Sequence, residues 1–267
     1  MLPSFLITFR ETFEAALIIG IILAYLSKTG NRKFEKFVFM GVGAGIAISA
    51  LSAYIFSMLF GKFEGTAEQL FEGTTMFIAA ALVTSMVFWM ARQRNISQQI
   101  KNKVQESLDK KYGIGLLLFA FFAVYREGIE IILFLNATSI GESGGISLLG
   151  AFLGIASSIV LAFLFFKAAL KIDLGKFFLV TGTVLIIISA GLIAHGIHEY
   201  QEAGVLNFLK DQAWSTKSLL DDQTDAGKIV RSVIGYNDNP SVLEVIGYVG
   251  YLAIVAYFWK KYSIGKQ

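Results

Sequence analysis

One stretch constrains this chain more than any other: Phe121-Phe122-Ala123-Val124-Tyr125-Arg126-Glu127-Gly128-Ile129-Glu130-Ile131-Ile132-Leu133-Phe134-Leu135. Three ionisable residues sit in the middle of a segment otherwise apolar for about twenty positions, the length that crosses a bilayer's hydrocarbon core as a helix. Charge at that depth costs roughly 2.5–3.5 kcal/mol per residue on insertion scales. Arg126, Glu127 and Glu130 must therefore be buried against protein, against one another, or along a wet path. The same device occurs earlier, in Phe9-Arg10-Glu11-Thr12-Phe13-Glu14-Ala15-Ala16. Two intramembrane Arg-Glu-x-x-Glu cassettes in one chain are expected to organise the fold, with the rest as their scaffold.

Hydrophobic residues make up 55% of the 267, and the mean hydropathy is +0.63. That places the chain among all-α integral membrane proteins rather than soluble domains. Seven transmembrane helices are expected, at about 3–27, 37–60, 67–91, 113–137, 146–170, 177–199 and 242–259. There is no cysteine, which excludes disulfides, thiolate metal sites and Cys nucleophiles. The amino terminus has no basic region before its apolar run and no small-residue cleavage site after it. The first helix is accordingly read as a retained span. The glycines of the second span (Gly41, Gly43, Gly45) and of the fifth (Gly150, Gly154) suit close helix packing in lipid.

Lys and Arg outside the spans set the orientation. One set of loops and the tail hold 16 of them; the opposite set holds 5, namely Lys62, Lys210, Lys217, Lys228 and Arg231. The basic side belongs in the cytoplasm, which puts the amino terminus outside and the carboxyl terminus inside. Nothing in this pattern calls for nucleic acid as a partner; the partners expected are metal ions and the lipid bilayer.

The first and fourth spans both carry the cassette, so the two copies run in opposite directions. Gly45-Ile46-Ala47 in the second span also echoes Gly154-Ile155-Ala156 in the fifth. The expected plan is a single permease domain over 1–267: repeat one about 1–91, repeat two about 113–199, an outside loop about 200–241 and a seventh helix about 242–259. Inverted repeats of three plus three helices place their substrate site where the repeats meet.

On a helix, Glu11 and Glu14 share a face, as do Glu127 and Glu130, with Arg10 and Arg126 four residues before the second Glu. At about 1.5 Å per residue, Glu11 and Glu14 lie roughly 13–18 Å below the outer surface. Four carboxylates from two antiparallel helices can meet there. Such a cluster repels itself unless it binds cations or protons, and hard oxygen ligands suit Fe, Mn, Mg or Ca. The arginines would balance charge while the site is empty. The competing reading is that each Arg pairs with its own Glu as a packing bridge; against it, one Arg cannot neutralise two carboxylates.

A second polar group marks the outer helix ends: Glu68 and Glu72 at the third span, and His195, His198, Glu199 and Glu202 at the sixth, with Glu64 just before. It is read either as a cation-collecting mouth or as interfacial polarity. His198-Glu199-Tyr200-Gln201-Glu202 is not a zinc-protease motif, because its fifth residue is Glu and not His. The acidic residues of the outside loop (Asp211, Asp221, Asp222, Asp225, Asp238) read as solvated charge. Met86, Trp89 and Met90 read as packing and interface anchors.

The two cassettes resemble those of the oxidase-dependent iron permease family, which includes fungal ferric permeases and bacterial EfeU-type permeases. Similarity extends to Phe71-Glu72-Gly73 leading into Met86-Val87-Phe88-Trp89-Met90, and to Ala190-Gly191-Leu192 leading into His198-Glu199-Tyr200-Gln201-Glu202-Ala203-Gly204. The resemblance covers all seven spans. It implies high-affinity iron uptake across the cytoplasmic membrane with the cassette carboxylates as iron ligands, iron as Fe(III) or Fe(II) being the transported substrate and no organic cofactor being needed. It also implies an extracytoplasmic oxidase or iron-delivery protein as a partner. Some relatives are associated with lead. The alternatives are a permease for another divalent metal, such as lead or manganese, and a carboxylate-relay proton-conducting or sensor protein. An intramembrane enzyme would need a nucleophile with a base or a metal-bound water, and no Ser-His or His-rich set lies at membrane depth.

Overall fold

The computed structural model describes residues 2–60, 64–92, 96–109, 113–140, 147–167, 174–222 and 224–264. Among the basic residues counted above, Lys62, Arg94, Lys110, Lys111, Lys171 and Lys266 lie outside them. Most of the described residues are helical and none of them forms a strand; one antiparallel bridge joins Gln212 to Ser241. The helices are α1 (Leu2–Lys28), α2 (Glu35–Phe60), α3 (Thr66–Arg92), α4 (Ile96–Asp109), α5 (Gly113–Ile140), α6 (Leu148–Lys167), α7 (Leu174–Glu202), α8 (Asp225–Ile234) and α9 (Val242–Ile264).

Five of these, α2, α3, α6, α7 and α9, are long and apolar enough to cross a membrane. Helices α1 and α5 fall where two further spans were expected and are as long, at 27 and 28 residues. Each carries three central charges, so length and apolarity alone mark five spans and not seven. The exposed faces of α2 (Phe39, Ile46, Tyr54) and α6 (Leu149, Phe152, Phe163) are apolar, as a lipid solvent requires.

Two helices were not expected. Helix α4 spends Ile100 and Val104 on a core with Ile22, Leu26, Val38 and Leu116 while its lysines stay outside. It thereby ties one end of α1 to α2 and α5. Helix α8 starts at Thr224, whose hydroxyl accepts the Gly227 N–H at 3.1 Å, and stops at Gly235 in the left-handed conformation, φ 68°.

Helix α1 packs on α6 and α5, α2 on α5, and α3 on α7 and α5, with α9 against α7. The close approaches are made by glycine, and they correspond. A side chain at Gly154 of α6 would run into Thr8 and the Phe5 carbonyl of α1; one at Gly45 of α2 would run into Val124 and the Phe121 carbonyl of α5. Phe5 and Phe121 stand at the same distance from their cassettes, as do Thr8 and Val124. Ser49 and Ser158, each four residues after its glycine, both bury a hydroxyl without a hydrogen-bond partner among the described residues. Between α3 and α7, Gly73 meets Tyr200 and the Gly196 carbonyl, while Gly196 meets Phe77 and the Gly73 carbonyl. The Phe77 and Tyr200 rings lie 5.5 Å apart, edge to face. The main core joins α1, α3, α5, α7 and α9 through Ile7, Met76, Val83, Phe134, Leu185 and Val255.

Candidate metal centre

The two cassettes face each other across the α1–α5 contact. Arg10, Glu11, Glu14 and Glu127 are all at least 96% buried, in a setting where an ionised group survives only with partners. Arg10 Nη1 donates to Glu11 Oε1 at 2.8 Å and to the Met86 sulfur at 2.9 Å. Arg126 reaches across helices: its Nη2 donates to Glu14 Oε1 at 3.1 Å, and its Nε donates to Glu127 Oε1 at 3.0 Å. The same Nε stands 3.6 Å from Glu130 Oε1. One guanidinium thus holds carboxylates from both cassettes. Its outer face lies over the Trp89 ring, 5.2 Å from the centroid.

Carboxylate oxygens of Glu11, Glu14 and Glu127 lie within 4.8 Å of one another, close enough to hold one metal ion. Glu130 is not a member of that trio. The second oxygen, Oε2, of each of the four glutamates is buried and accepts no hydrogen bond from the described residues. Buried oxygens left so are costly unless a ligand or a proton completes them. Four carboxylates against two guanidiniums leave a formal charge of −2, and a hard divalent ion cancels it.

A cavity of about 670 Å³ adjoins the trio, lined by Thr84, Ser85, Met86, Trp89, Arg126 and Glu130, with Ile254, Val255 and Phe258 of α9 closing the other side. The cassettes reach the last turns of α3 and the first turn of α7, while Thr8, two residues before the first cassette, reaches the Ala151 carbonyl in the first turn of α6 at 3.0 Å. Trp89 is near the end of α3, and Phe177, in the first turn of α7, packs on Phe9 and Phe13 with centroids 6.0 and 4.9 Å away.

The outer polar residues form a second constellation. His198 bridges Glu244 and Glu202, Nδ1 to Glu244 Oε1 at 3.0 Å and Nε2 to Glu202 Oε1 at 3.2 Å. Gln69 donates to Glu202 Oε2 at 3.1 Å, joining α3 to α7. Glu72 lies within electrostatic range of Glu68, Glu199 and Glu202. His195 stands apart from this group: its Nδ1 meets the Gly191 carbonyl at 3.0 Å and its Nε2 accepts from Arg231 Nε at 3.2 Å. In the outside loop, Asp221, Asp222 and Asp238 bring carboxylates within 4.8 Å of one another, and Arg231 Nη1 pairs with Asp222 at 2.9 Å.

Sequence reasoning missed three members of these sites. Glu244 opens α9 with no motif around it, yet it accepts from Ser241 N–H and Asn237 as well as meeting His198. Met86 and Trp89, read as packing residues, contact the two arginines; their only signal was lying in the segment that carried the family resemblance.

No solved structure matches this chain. Two curated relatives are the ferrous iron permease EfeU of Escherichia coli O6:H1 strain CFT073 and that of Yersinia pestis. The first is 34% identical over 262 residues, covering 96% of this chain and 95% of the relative. The second is 32% identical over 266 residues, covering 97% and 93%. The family model described as "Iron permease FTR1 family" matches residues 1–262. With that match spanning nearly every helix described above, the chain is a multi-pass membrane protein that belongs to the Iron permease FTR1 family.

Proposed function

We propose that this chain carries iron across the cytoplasmic membrane into the cell and that Glu11, Glu14 and Glu127, with Glu130 beside them, handle the ion. The observation that carries this reading is the meeting of carboxylates from two distant cassettes around buried oxygens that have no hydrogen-bond partner among the described residues. Arg10 and Arg126 hold those carboxylates while no ion is bound. The named relatives are ferrous iron permeases, and Fe(II) is the proposed cargo. Glu68, Glu72, His198, Glu199 and Glu202 would collect cations at the outer mouth, and His195 would hold Arg231 against the end of α7. An extracytoplasmic iron-delivery protein or oxidase would dock on that side.

The architecture proposed is seven spans, with α1–α3 and α5–α7 as inverted repeats and α9 appended. Its support is the correspondence of contacts. Exchanging the two sets of three helices turns the α1–α6 contact into the α5–α2 contact and maps α3–α7 onto itself, glycine for glycine. The basic loops face the cytoplasm, so the amino terminus is outside and the carboxyl terminus inside. The deciding experiment is radiolabelled uptake into proteoliposomes, with Fe(II) and Fe(III) supplied separately. Iron-dependent accumulation lost in Glu→Gln variants of the trio is the expected result. Accumulation unchanged in those variants, per folded molecule, would refute the metal-site reading.

A further inference from the structure

The two cassettes are alike in sequence and unlike in their surroundings. Arg10 is 1% exposed, fixed between Glu11 and the Met86 sulfur. The Arg126 side chain is 41% exposed and lines the cavity. Glu11, Glu14 and Glu127 form the buried trio, whereas Glu130 alone of the four glutamates reaches the cavity wall, with one oxygen that has no hydrogen bond among the described residues. Arg126 stands between the trio and Glu130, bonded to Glu14 and Glu127, near Glu130, and stacked over Trp89.

We propose that Glu130, Arg126 and Trp89 form a release gate, in which an ion on the trio displaces the Arg126 guanidinium, which stays on the Trp89 ring, and leaves through Glu130 into the cavity. This rests on the metal-site reading above. A displaced guanidinium in a half-buried place needs another partner, and an aromatic face supplies one without neutralising the carboxylates that the ion must use. Lysine or an aliphatic wall would not do both. Glu130 then offers an oxygen ligand on the cavity side, so the ion exchanges one hard ligand set for another rather than entering an apolar space bare. Arg10, held on the Met86 sulfur and 1% exposed, has no comparable opening beside it among the described residues. Trp89 is a positioning residue here and Glu130 a transient ligand.

The test separates binding from turnover. Purified protein is assayed for equilibrium binding of radiolabelled Fe(II) under reducing conditions, and proteoliposomes for uptake at saturating Fe(II). E14Q is expected to lose binding. E130Q and W89L are expected to keep one Fe(II) per chain with Kd within about threefold, yet to lower the saturated uptake rate about five- to thirtyfold, the range of a partly desolvated cation–π contact. W89F, which retains a ring face, restores most of that rate. Because the chain has no cysteine, Ser85→Cys gives a silent background for a membrane-impermeant thiol reagent. It should label from the cytoplasmic side, and more slowly with Fe(II) bound. If E130Q loses binding as fully as E14Q, Glu130 is an ordinary ligand of the trio and the gate is overturned. Wild-type uptake in W89L, or an S85C protein that no aqueous reagent labels, would overturn it too. Normal binding in E14Q would overturn the metal site itself, a failure distinct from these.

Discussion

Replacing Glu14 by glutamine tests the site where the first cassette meets the arginine of the second. Glu14 is 4% exposed, accepts from Arg126 through one oxygen and leaves the other without a hydrogen bond among the described residues. Glutamine keeps the volume and one acceptor, but it removes the charge and points two donors into a place that already holds a guanidinium. With trio oxygens within 4.8 Å of one another, an ion at their centre lies at most about 2.8 Å from each, near the 2.0–2.6 Å of hard-cation ligation after small adjustment. Removing one of three buried anionic partners costs about 3–5 kcal/mol. Part of that loss falls on the empty protein, because Arg126 forfeits the same carboxylate. The remainder is worth about a hundredfold in Kd, using roughly 1.4 kcal/mol per decade. The assay is equilibrium binding of radiolabelled Fe(II) to purified protein, with uptake in proteoliposomes normalised to folded chain. A Glu14→Gln/Glu127→Gln double variant should be little worse than either single one, because the trio acts as a unit. A Glu14→Gln protein that binds Fe(II) within threefold of wild type refutes the reasoning. So does one that disappears from the membrane yet transports normally per surviving molecule, the behaviour of a packing bridge.

A reporter at the carboxyl terminus should be cytoplasmic and one inserted near Asp222 external; both on one side would remove the seven-span topology. Neutral replacement of Glu68, Glu72, His198 and Glu199 together should raise the apparent Km for iron more than it lowers the maximal rate, and an unchanged Km would return the mouth to interfacial polarity. Gly154→Val drives a side chain into the Phe5 carbonyl and should cost about 1–3 kcal/mol or more in thermal stability. Gly43→Val, with open space around it, should cost little, and equal effects would contradict the packing described. Arg126→Lys should slow uptake more than it weakens Fe(II) binding, because an ammonium cannot grip two carboxylates and stack on a ring together.

The cassettes were legible because charge in a long apolar run is expensive and needs a reason. The spacing Glu11 to Glu14, and Glu127 to Glu130, correctly put each pair on one helix. What spacing could not supply was which oxygens meet across helices. The four glutamates read as one equal set, while the structure gathers three and leaves Glu130 at the cavity. The same limit hid Glu244, whose partner His198 is 46 residues away, and set Trp89 among interface anchors. The helices α4 and α8 escaped because they are short, at 14 and 10 residues, and only tertiary packing makes their apolar faces count, as it does for Ile100 and Val104. Spacing likewise offered nothing to pair α3 with α7, where the likeness is confined to one glycine and one aromatic ring four residues on, at Gly73 and Phe77 and at Gly196 and Tyr200.

The cavity beside the cassettes has an electrical meaning. An ion on the trio lies about midway along α5, and the cavity beside it is lined by the last turns of α3 and the second half of α9, so in the proposed orientation water in that cavity shortens the insulating path on the cytoplasmic side. The membrane potential then drops chiefly along the path from the mouth to the carboxylates and little along the path out. For a doubly charged ion the whole drop is worth about 4.6 kcal/mol per 100 mV. An inside-negative potential should therefore act on loading: at sub-saturating Fe(II) it speeds uptake by lowering the apparent Km, and at saturation the rate becomes nearly indifferent to voltage.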